Sequence, residues 1–351
     1  MEYLQKIVDD SLKNKYLFGI SLGVHHDGKD WFGLSGNFVL DEAYFIASTT
    51  KLFTSTLIFK LRENGKLDFK DQISKYVSEE VLNNLHLYKG KEYSNQITIA
   101  NLLAHTSGIP DYFEKRRPKN RSLKSQLTSG NDMNWDFQQA VDWSKKMTPL
   151  FEPSKPDKAH YSDTNYQLLG NIIENQYGNR LKEIIQKEIC NGLELSQTYL
   201  YADTSDKKPK NLYFKSNELH IPKAMSSFGA DGGIVSTSKE LMIFLKAFMT
   251  GKLFPKSYLK EISQWNRIFF PLESGIGMHR FETPWYFSPF KRIPELIGHS
   301  GLSGAFAFYA PEMNTYLTGT VNQIHSPGNS YKLMIKVLLE LMKKSGSQQA
   351  L

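Results

Sequence analysis

Apolar and polar positions in the N-terminal part of the chain predict a helix, a hairpin and a second helix. Apolar residues recur at helical spacing within residues 2–16 and predict an amphipathic helix: Leu4, Ile7, Val8 and Leu12. Residues 18–25 and 31–39 have strand character, and the turn His26-Asp27-Gly28-Lys29 between them predicts a β-hairpin. A second helix then runs to about Leu61 and ends at Glu63-Asn64-Gly65.

The middle of the chain, from residue 67 to about residue 245, is mainly helical in pattern. Thr98 is a typical cap for a helix over residues 99–104, and residues 165–176 and 180–188 have helical spacing. Strand character returns near the C-terminus, before a last helix over residues 331–344, in three segments: 275–281, 305–309 and 315–321.

Strands at both ends with helices between them predict one α/β (α+β) domain that is built from both termini. We assign residues 1–60 and 246–351 to this domain and residues 61–245 to a mainly helical inserted domain. The active site is expected in the cleft between the two.

The composition of the 351 residues, with 40% hydrophobic and 23% charged side chains, is typical of a globular protein. We find no apolar stretch of about twenty residues, and therefore predict no transmembrane segment. The single cysteine, Cys190, excludes an internal disulfide. The first residues do not resemble a signal peptide, so we expect a cytoplasmic protein, or an exported one whose signal has been removed.

The net charge of +7 and the isoelectric point near 9.1 could suit an anionic partner. The basic residues cluster in two runs, 115–121 and 207–210. Both runs contain proline and few apolar residues, which favours solvated loops. We therefore predict no nucleic-acid partner.

Ser48 and Lys51 form an S-x-x-K motif where a predicted strand runs into a helix. Residues i and i+3 share one face of a helix, so Lys51 can reach back toward the Ser48 hydroxyl. A serine hydroxyl is a poor nucleophile unless a basic group activates it, and a helix N-terminus offers N–H groups to an oxyanion. The alternative is an ordinary helix start with a serine cap and a solvated lysine.

A second serine motif, Gly19-Ile20-Ser21-Leu22-Gly23, fits the G-x-S-x-G nucleophile elbow. Its context is that of a strand in a hairpin, whereas an elbow joins a strand to a helix, so Ser21 is interpreted as a strand residue. No H-E-x-x-H motif or glycine-rich phosphate loop is present in the sequence, which predicts neither a metal nor a cofactor.

Two further motifs follow Ser48 in order, Tyr161-Ser162-Asp163 and His299-Ser300-Gly301. The linking segments 102–112 and 232–238 add to the pattern. With these motifs the chain resembles the serine β-lactamase and penicillin-binding protein superfamily, specifically its class C β-lactamase and D-alanyl-D-alanine carboxypeptidase-like branch. There the order is S-x-x-K, Y-x-N and then K-T-G or H-x-G on a strand.

The resemblance implies a β-lactamase/transpeptidase-like fold, with an antiparallel sheet flanked by N- and C-terminal helices. It assigns Ser48 as the acylated nucleophile, Lys51 as the amine beside it and Tyr161 as general base. We expect the charge on Lys51 to lower the pKa of Tyr161. The backbone N–H groups of Ser48 and Leu302 would form the oxyanion hole.

The resemblance also suggests residues that bind the substrate. Ser300 and Gly301 are small, as close approach of a substrate carbonyl to the strand requires. Tyr112 corresponds to a side chain that lines the acyl pocket, although a loop aromatic packed on the surface is an alternative. Asp163 replaces the usual asparagine, and could pair with Lys51 or accept from a substrate ammonium. His299 replaces a common lysine, which would make the positive charge titratable near neutral pH.

These assignments predict a serine hydrolase that acts through an acyl-enzyme on a small amide, D-amino-acid peptide or ester. Such an enzyme would be a penicillin-binding-protein-like carboxypeptidase or esterase, and a weak β-lactamase at most. The alternative is a catalytically silent sensor or peptide-binding protein with the same cleft. We expect a small-molecule or short-peptide ligand and a monomer.

Overall fold

A computed structural model of the protein describes residues 1–115, 121–283 and 292–348. Most of the basic run 115–121 lies outside the described residues. Among the described helices, none is both long and apolar enough to cross a membrane.

The helices and strands are numbered in chain order. The helices are α1 Tyr3–Ser11, α2 Thr50–Glu63, α3 Glu79–Leu82, α4 Ile99–Leu103, α5 Leu123–Leu127, α6 Phe137–Lys145, α7 Asp163–Tyr177, α8 Leu181–Ile185, α9 Asn191–Leu193, α10 Pro222–Ser227, α11 Ser238–Thr250, α12 Tyr258–Ile262 and α13 Gly328–Gln348. The strands are β1 Gly19–His26, β2 Lys29–Gly36, β3 Tyr44–Phe45, β4 Leu87–Tyr88, β5 Lys91–Glu92, β6 Tyr199–Leu200, β7 Leu212–Phe214, β8 Asn217–Leu219, β9 Ile234–Ser236, β10 Asn266–Phe269, β11 Leu272–Ser274, β12 His279–Phe281, β13 Leu296–Ser300, β14 Ala305–Ala310 and β15 Thr315–Thr320.

One antiparallel sheet joins the two ends of the chain, in the strand order β10-β11-β12-β13-β14-β15-β1-β2. In its register Ser21 of β1 lies opposite Thr320 of β15 and Leu34 of β2. Helices α1 and α13 bury apolar side chains against the sheet, among them Leu4, Val8, Leu338 and Leu341. The predicted fold class, with terminal helices flanking an antiparallel sheet, is thus confirmed.

Helix α11 packs against the sheet through β1, β14 and β15. The Ser238 hydroxyl bonds that of Ser21 at 2.7 Å, and the Ser238 carbonyl accepts from Thr318 at 2.7 Å. Ser21 is therefore a buried strand residue, as predicted. Residue 245 lies inside this helix, and the division of the chain into two domains stays a prediction.

The hairpin and the capped helix after Thr98 are confirmed, because Thr98 and Asn101 form a reciprocal capping box. Of the strand predicted over 275–281, residues 279–281 form β12 and residues 275–278 form a turn. Gly277 has φ +80 and lies in the turn between β11 and β12, where an added Cβ would approach the Ser55 hydroxyl oxygen to 2.6 Å. This glycine is required by the close packing of the turn on α2.

Candidate active site

Ser48 lies in a short 3-10 turn, Ala47–Thr49, between β3 and α2. Strand β3 is held by β9, with Phe45 opposite Val235. Ala47 then adopts φ +45, an unfavourable conformation for a residue with a side chain, and turns the chain into the helix. Ser48 stays partly exposed and lines a cleft.

Lys51 lies in the first turn of α2 and is fully buried. Its Nζ donates to Asp163 Oδ1 and to the Asp231 carbonyl oxygen, both at 2.6 Å. The same atom lies 5.1 Å from the ring centre of Tyr161 and 5.2 Å from that of Tyr166. The alternative of a solvated lysine is therefore wrong, and the ammonium is oriented by residues more than a hundred positions away.

Tyr161 precedes α7, and its ring packs on His105 with centroids 4.5 Å apart. Its hydroxyl is buried without a hydrogen bond of regular length and angle in the described structure. Burial raises the pKa of Tyr161 well above its ordinary value and the charge on Asp163 raises it further, whereas the Ser48 side chain lowers it. The expectation that Lys51 gives Tyr161 a low pKa is thus wrong, because desolvation and nearby carboxylates favour the phenol.

Two further carboxylates surround the Lys51–Asp163 pair. Asp111 Oδ1 accepts from the Asp163 backbone N–H at 2.9 Å and so holds the first turn of α7. Asp231 Oδ2 accepts from the Tyr112 hydroxyl at 2.8 Å. Burial and the charge on Asp163 raise the pKa of Asp111 to about 7 and raise the pKa of Asp231 well above its ordinary value.

His299 and His279 stack in the buried space behind Tyr161, with ring centroids 4.0 Å apart. The His299 Nδ1 bonds the Ser300 carbonyl at 2.8 Å, which makes Nδ1 the donor. Burial lowers the pKa of His299 well below its ordinary value, and electrostatic interaction with His279 and with Lys51 lowers it further. The expected titration of His299 near neutral pH is therefore wrong: it is a neutral imidazole there.

Three residues predicted to bind the substrate have packing contacts in the structure, and their contact with a substrate stays a prediction. Tyr112 is fully buried, so the alternative of an aromatic packed on the surface is wrong, and its hydroxyl donates to Asp231. The Ser300 hydroxyl bonds the Tyr331 hydroxyl of α13 at 2.8 Å. Gly301 is small because an added Cβ would lie 2.3 Å from the Ile46 carbonyl oxygen, so it packs on the strand end before Ser48 and leaves no side chain for a substrate.

The cleft beside Ser48 encloses about 620 Å³, including its opening to solvent. Its polar floor contains Ser48, Tyr161, Asp163 and Asp231. Its walls are largely apolar and are formed by Phe113, Leu127, Met225, Phe228, Leu302 and Ile324. A substrate carbonyl can therefore reach Ser48 while an apolar side chain packs on the walls.

Sequence reasoning missed Asp111, Asp231 and His279. Asp111 lies within the family-like segment 102–112, and Asp231 directly precedes the segment 232–238. The presence of an acidic residue at these two positions was the signal in the sequence that could have identified them as site residues. His279 has no such signal, because it follows a turn and reaches the site only through the register of β12 with β13. Among the described residues, no group of three His, Cys, Asp or Glu side chains could hold a metal ion.

The fold and this site define a class of protein, the serine hydrolases that act through an acyl-enzyme. The chain belongs to the beta-lactamase family, whose model, described as Beta-lactamase, matches residues 4–337. The resemblance drawn from the three motifs and the prediction of a serine hydrolase are confirmed.

Several known proteins are similar to this chain. The chain is 23% identical over 278 residues to the D-alanyl-D-alanine-carboxypeptidase/endopeptidase AmpH of Escherichia coli K12. The aligned region covers 77% of this chain and 67% of AmpH. The D-amino acid amidase of Ochrobactrum anthropi SV3 has a TM-score of 0.78 at 24% identity, over 96% of this chain and 99% of the amidase.

A third similar structure is an octameric penicillin-binding protein homologue from Pyrococcus abyssi. Its TM-score is 0.76 at 23% identity, over 97% of this chain and 77% of that protein. The expectation of a monomer for the present chain stays a prediction.

Proposed function

We propose that Ser48 is the acylated nucleophile of a hydrolase that cleaves small amides, D-amino-acid peptides or esters. The observation that carries the proposal is the convergence of Ser48, Tyr161 and the buried Lys51–Asp163 pair at one cleft. The activities named for the similar carboxypeptidase and amidase support the same class of substrate.

Tyr161 enters the reaction as a phenol, since its pKa is raised. In acylation, the Ser48 oxygen bonds the substrate carbonyl carbon and the Ser48 proton passes to the Tyr161 oxygen. The Tyr161 proton passes to the leaving nitrogen or oxygen as its bond to the carbonyl carbon breaks. Tyr161 is thus a proton relay that begins and ends the step neutral.

Lys51 stabilises the negative charge that develops on the reacting oxygens, because a buried ammonium acts at low effective dielectric. The backbone N–H groups of Ser48 and Leu302 are the proposed oxyanion donors. Gly301 supports this geometry, since it packs on Ile46 and Ala47 and brings the following residue to the cleft.

Deacylation uses the same relay with water. The water oxygen bonds the acyl carbon, its proton passes to the Tyr161 oxygen, and the Tyr161 proton returns to the Ser48 oxygen as the ester bond breaks. The neutral His299 gives the site no fixed positive charge for a substrate carboxylate at the third motif, which supports an amidase or esterase activity over efficient β-lactam hydrolysis.

Hydrolysis of p-nitrophenyl acetate by the wild type and by Ser48→Ala tests the proposal. We expect steady-state release of p-nitrophenol by the wild type and none above background by Ser48→Ala. One equivalent of p-nitrophenol without further turnover would favour the silent sensor, and equal turnover by the two proteins would contradict the role of Ser48.

A further inference from the structure

Asp231 has a buried carboxylate oxygen without a hydrogen-bond partner in the described structure. The residue is 1% exposed and lines the cleft beside Ser48. Its Oδ2 accepts from Tyr112 and from Gln167, at 2.8 and 3.0 Å, but its Oδ1 accepts from neither. Since an unpaired buried acceptor is unfavourable, Oδ1 indicates a donor that arrives with a ligand.

The second carboxylate of the cleft floor is Asp163. Its side chain is 7% exposed, and Oδ1 accepts from Lys51. The other donor bond of Lys51 goes to the backbone carbonyl of Asp231 and not to its carboxylate. The Lys51 ammonium therefore pairs directly with the Asp163 carboxylate and leaves that of Asp231 without a cationic partner from Lys51. Burial and then the charge on Asp163 raise the pKa of Asp231, and a second cation beside the two side chains would favour the ionised form of Asp231.

The rest of the cleft offers little to a negatively charged substrate. Among the described residues that line it, Lys124 has the one cationic side chain, and its Nζ bonds Glu114 at 2.8 Å. His299 is buried behind Tyr161. The electrostatics of the cleft thus favour a cation on the substrate.

We propose that the cleft selects acyl groups that carry a primary ammonium, which binds between the carboxylates of Asp163 and Asp231. An ammonium has three donors, which suits two acidic side chains that line the same cleft. The apolar side chain of such a substrate packs against Phe113, Met225 and Phe228. The inference rests on the proposed acyl-enzyme function and specifies its substrates as amides or esters of amino acids with a free amino group.

A matched pair of substrates tests the inference on the wild-type protein. Phenylalanine p-nitroanilide, as both enantiomers, is compared with 3-phenylpropionyl p-nitroanilide, which lacks only the amine. We expect kcat/KM to be about 30-fold higher for the better amine-bearing enantiomer, as for a hydrogen bond to a charged group. A ratio near one would overturn the inference.

Variants assign the preference to residues. Asp231→Asn and Asp163→Asn should each lower the ratio of kcat/KM values at least tenfold, whereas Glu114→Gln at the cleft mouth should change it less than twofold. An equal change in Glu114→Gln would overturn the assignment to the cleft floor. Inhibition of the wild type needs no variant: phenethylamine should inhibit at a concentration at least tenfold lower than 2-phenylethanol, and equal inhibition would overturn the inference.

Labelling of Ser48 by a fluorophosphonate separates this inference from the proposed function. Labelled Ser48 together with no preference for the amine overturns the ammonium inference alone. Absence of labelling and of hydrolysis of either anilide overturns the proposed function and the inference with it.

Discussion

The Lys51 ammonium lies over the face of the Tyr161 ring, with Nζ 5.1 Å from the ring centre. Its hydrogen bonds go to Asp163 and to the Asp231 carbonyl, while the Tyr161 hydroxyl has no regular hydrogen bond in the described structure. The lysine therefore holds the ring in position and leaves the hydroxyl free to exchange protons with Ser48 and a substrate.

Tyr161→Phe removes a hydroxyl that contributes to chemistry but to no hydrogen bond of the fold. We expect kcat to fall about 10²- to 10⁴-fold, the usual range for a proton-transfer group. The free energy of unfolding should stay within about 0.5 kcal/mol of the wild type or rise, because an unpaired buried polar group is removed. Ester hydrolysis and urea unfolding measure the two quantities.

Tyr166→Phe is the matched control, since its ring also faces Lys51. The Tyr166 hydroxyl donates to the Leu103 carbonyl at 3.2 Å, so its loss should cost about 1 kcal/mol of stability. The kcat of Tyr166→Phe should change less than about threefold, which corresponds to a change in activation free energy on the order of kT. The opposite pattern, with activity lost in Tyr166→Phe and kept in Tyr161→Phe, would contradict the relay.

Lys51→Met removes the charge that stabilises the reacting oxygens and leaves Asp163 without its partner. We expect acylation to slow at least about 100-fold and stability to fall by about 3–5 kcal/mol, as for a broken buried ion pair. Lys60→Met on the same helix is the control. Lys60 pairs with Glu188 at a partly exposed site, so its loss should cost about 1 kcal/mol or less.

The rate of acylation is compared per folded molecule, with the folded fraction taken from circular dichroism. A folded Lys51→Met protein that acylates as fast as Lys60→Met would be incompatible with the proposed role of Lys51.

Gly301→Ala tests the packing that positions Ser48. The new Cβ would lie 2.3 Å from the Ile46 carbonyl oxygen, and must displace the segment before Ala47. We expect a stability loss of about 1–3 kcal/mol and a larger effect on kcat than on KM. Gly192→Ala in α9 faces open space, and should stabilise the protein by about 0.5–1 kcal/mol. Unchanged kcat in Gly301→Ala would refute this role.

His279→Gln tests the charge state of the buried histidines. Burial and, to a smaller extent, the charge on Lys51 lower the pKa of His279 from 6.5 to about 3. Below pH 6.5 the unfolded chain binds a proton that the folded protein does not, so His279 reduces stability as the pH falls toward 3. As the pH falls from 6.5 toward 3, the free energy of unfolding of the wild type should decrease by about 1.4 kcal/mol per pH unit more than that of the variant.

Urea unfolding at several pH values gives this difference in slope. Asp111, whose pKa is raised to about 7, contributes the opposite slope in both proteins and cancels in the comparison. The exposed His220, replaced in His220→Gln, is the control substitution. Parallel curves for His279→Gln and wild type would show that His279 is charged in the folded state.

The sequence was sufficient for the features that depend on local pattern. The S-x-x-K spacing predicts that Ser48 and Lys51 share a helix start, because three residues along a helix return to the same face. The hairpin of β1 and β2 follows from alternation around an Asp-Gly turn. The resemblance added Tyr161, which reaches the same cleft from a distant segment.

The electrostatics of the site could not be predicted in this way. The raised pKa of Tyr161 results from burial and from carboxylates that come together only in the folded chain. Asp231 and His279 reach the site through a turn and a strand register, neither of which leaves a periodic signal. Ser300 and Gly301 are small residues that pack on Tyr331 and Ile46. The motif alone does not distinguish this packing role from substrate binding.

The most direct test of the account is the intact mass of the protein after incubation with a fluorophosphonate, followed by peptide mapping. We predict one phosphonyl adduct on Ser48 in the wild type and no adduct in Ser48→Ala. An adduct that persists in Ser48→Ala, or one that maps to another residue in the wild type, would contradict the assignment of Ser48 as nucleophile.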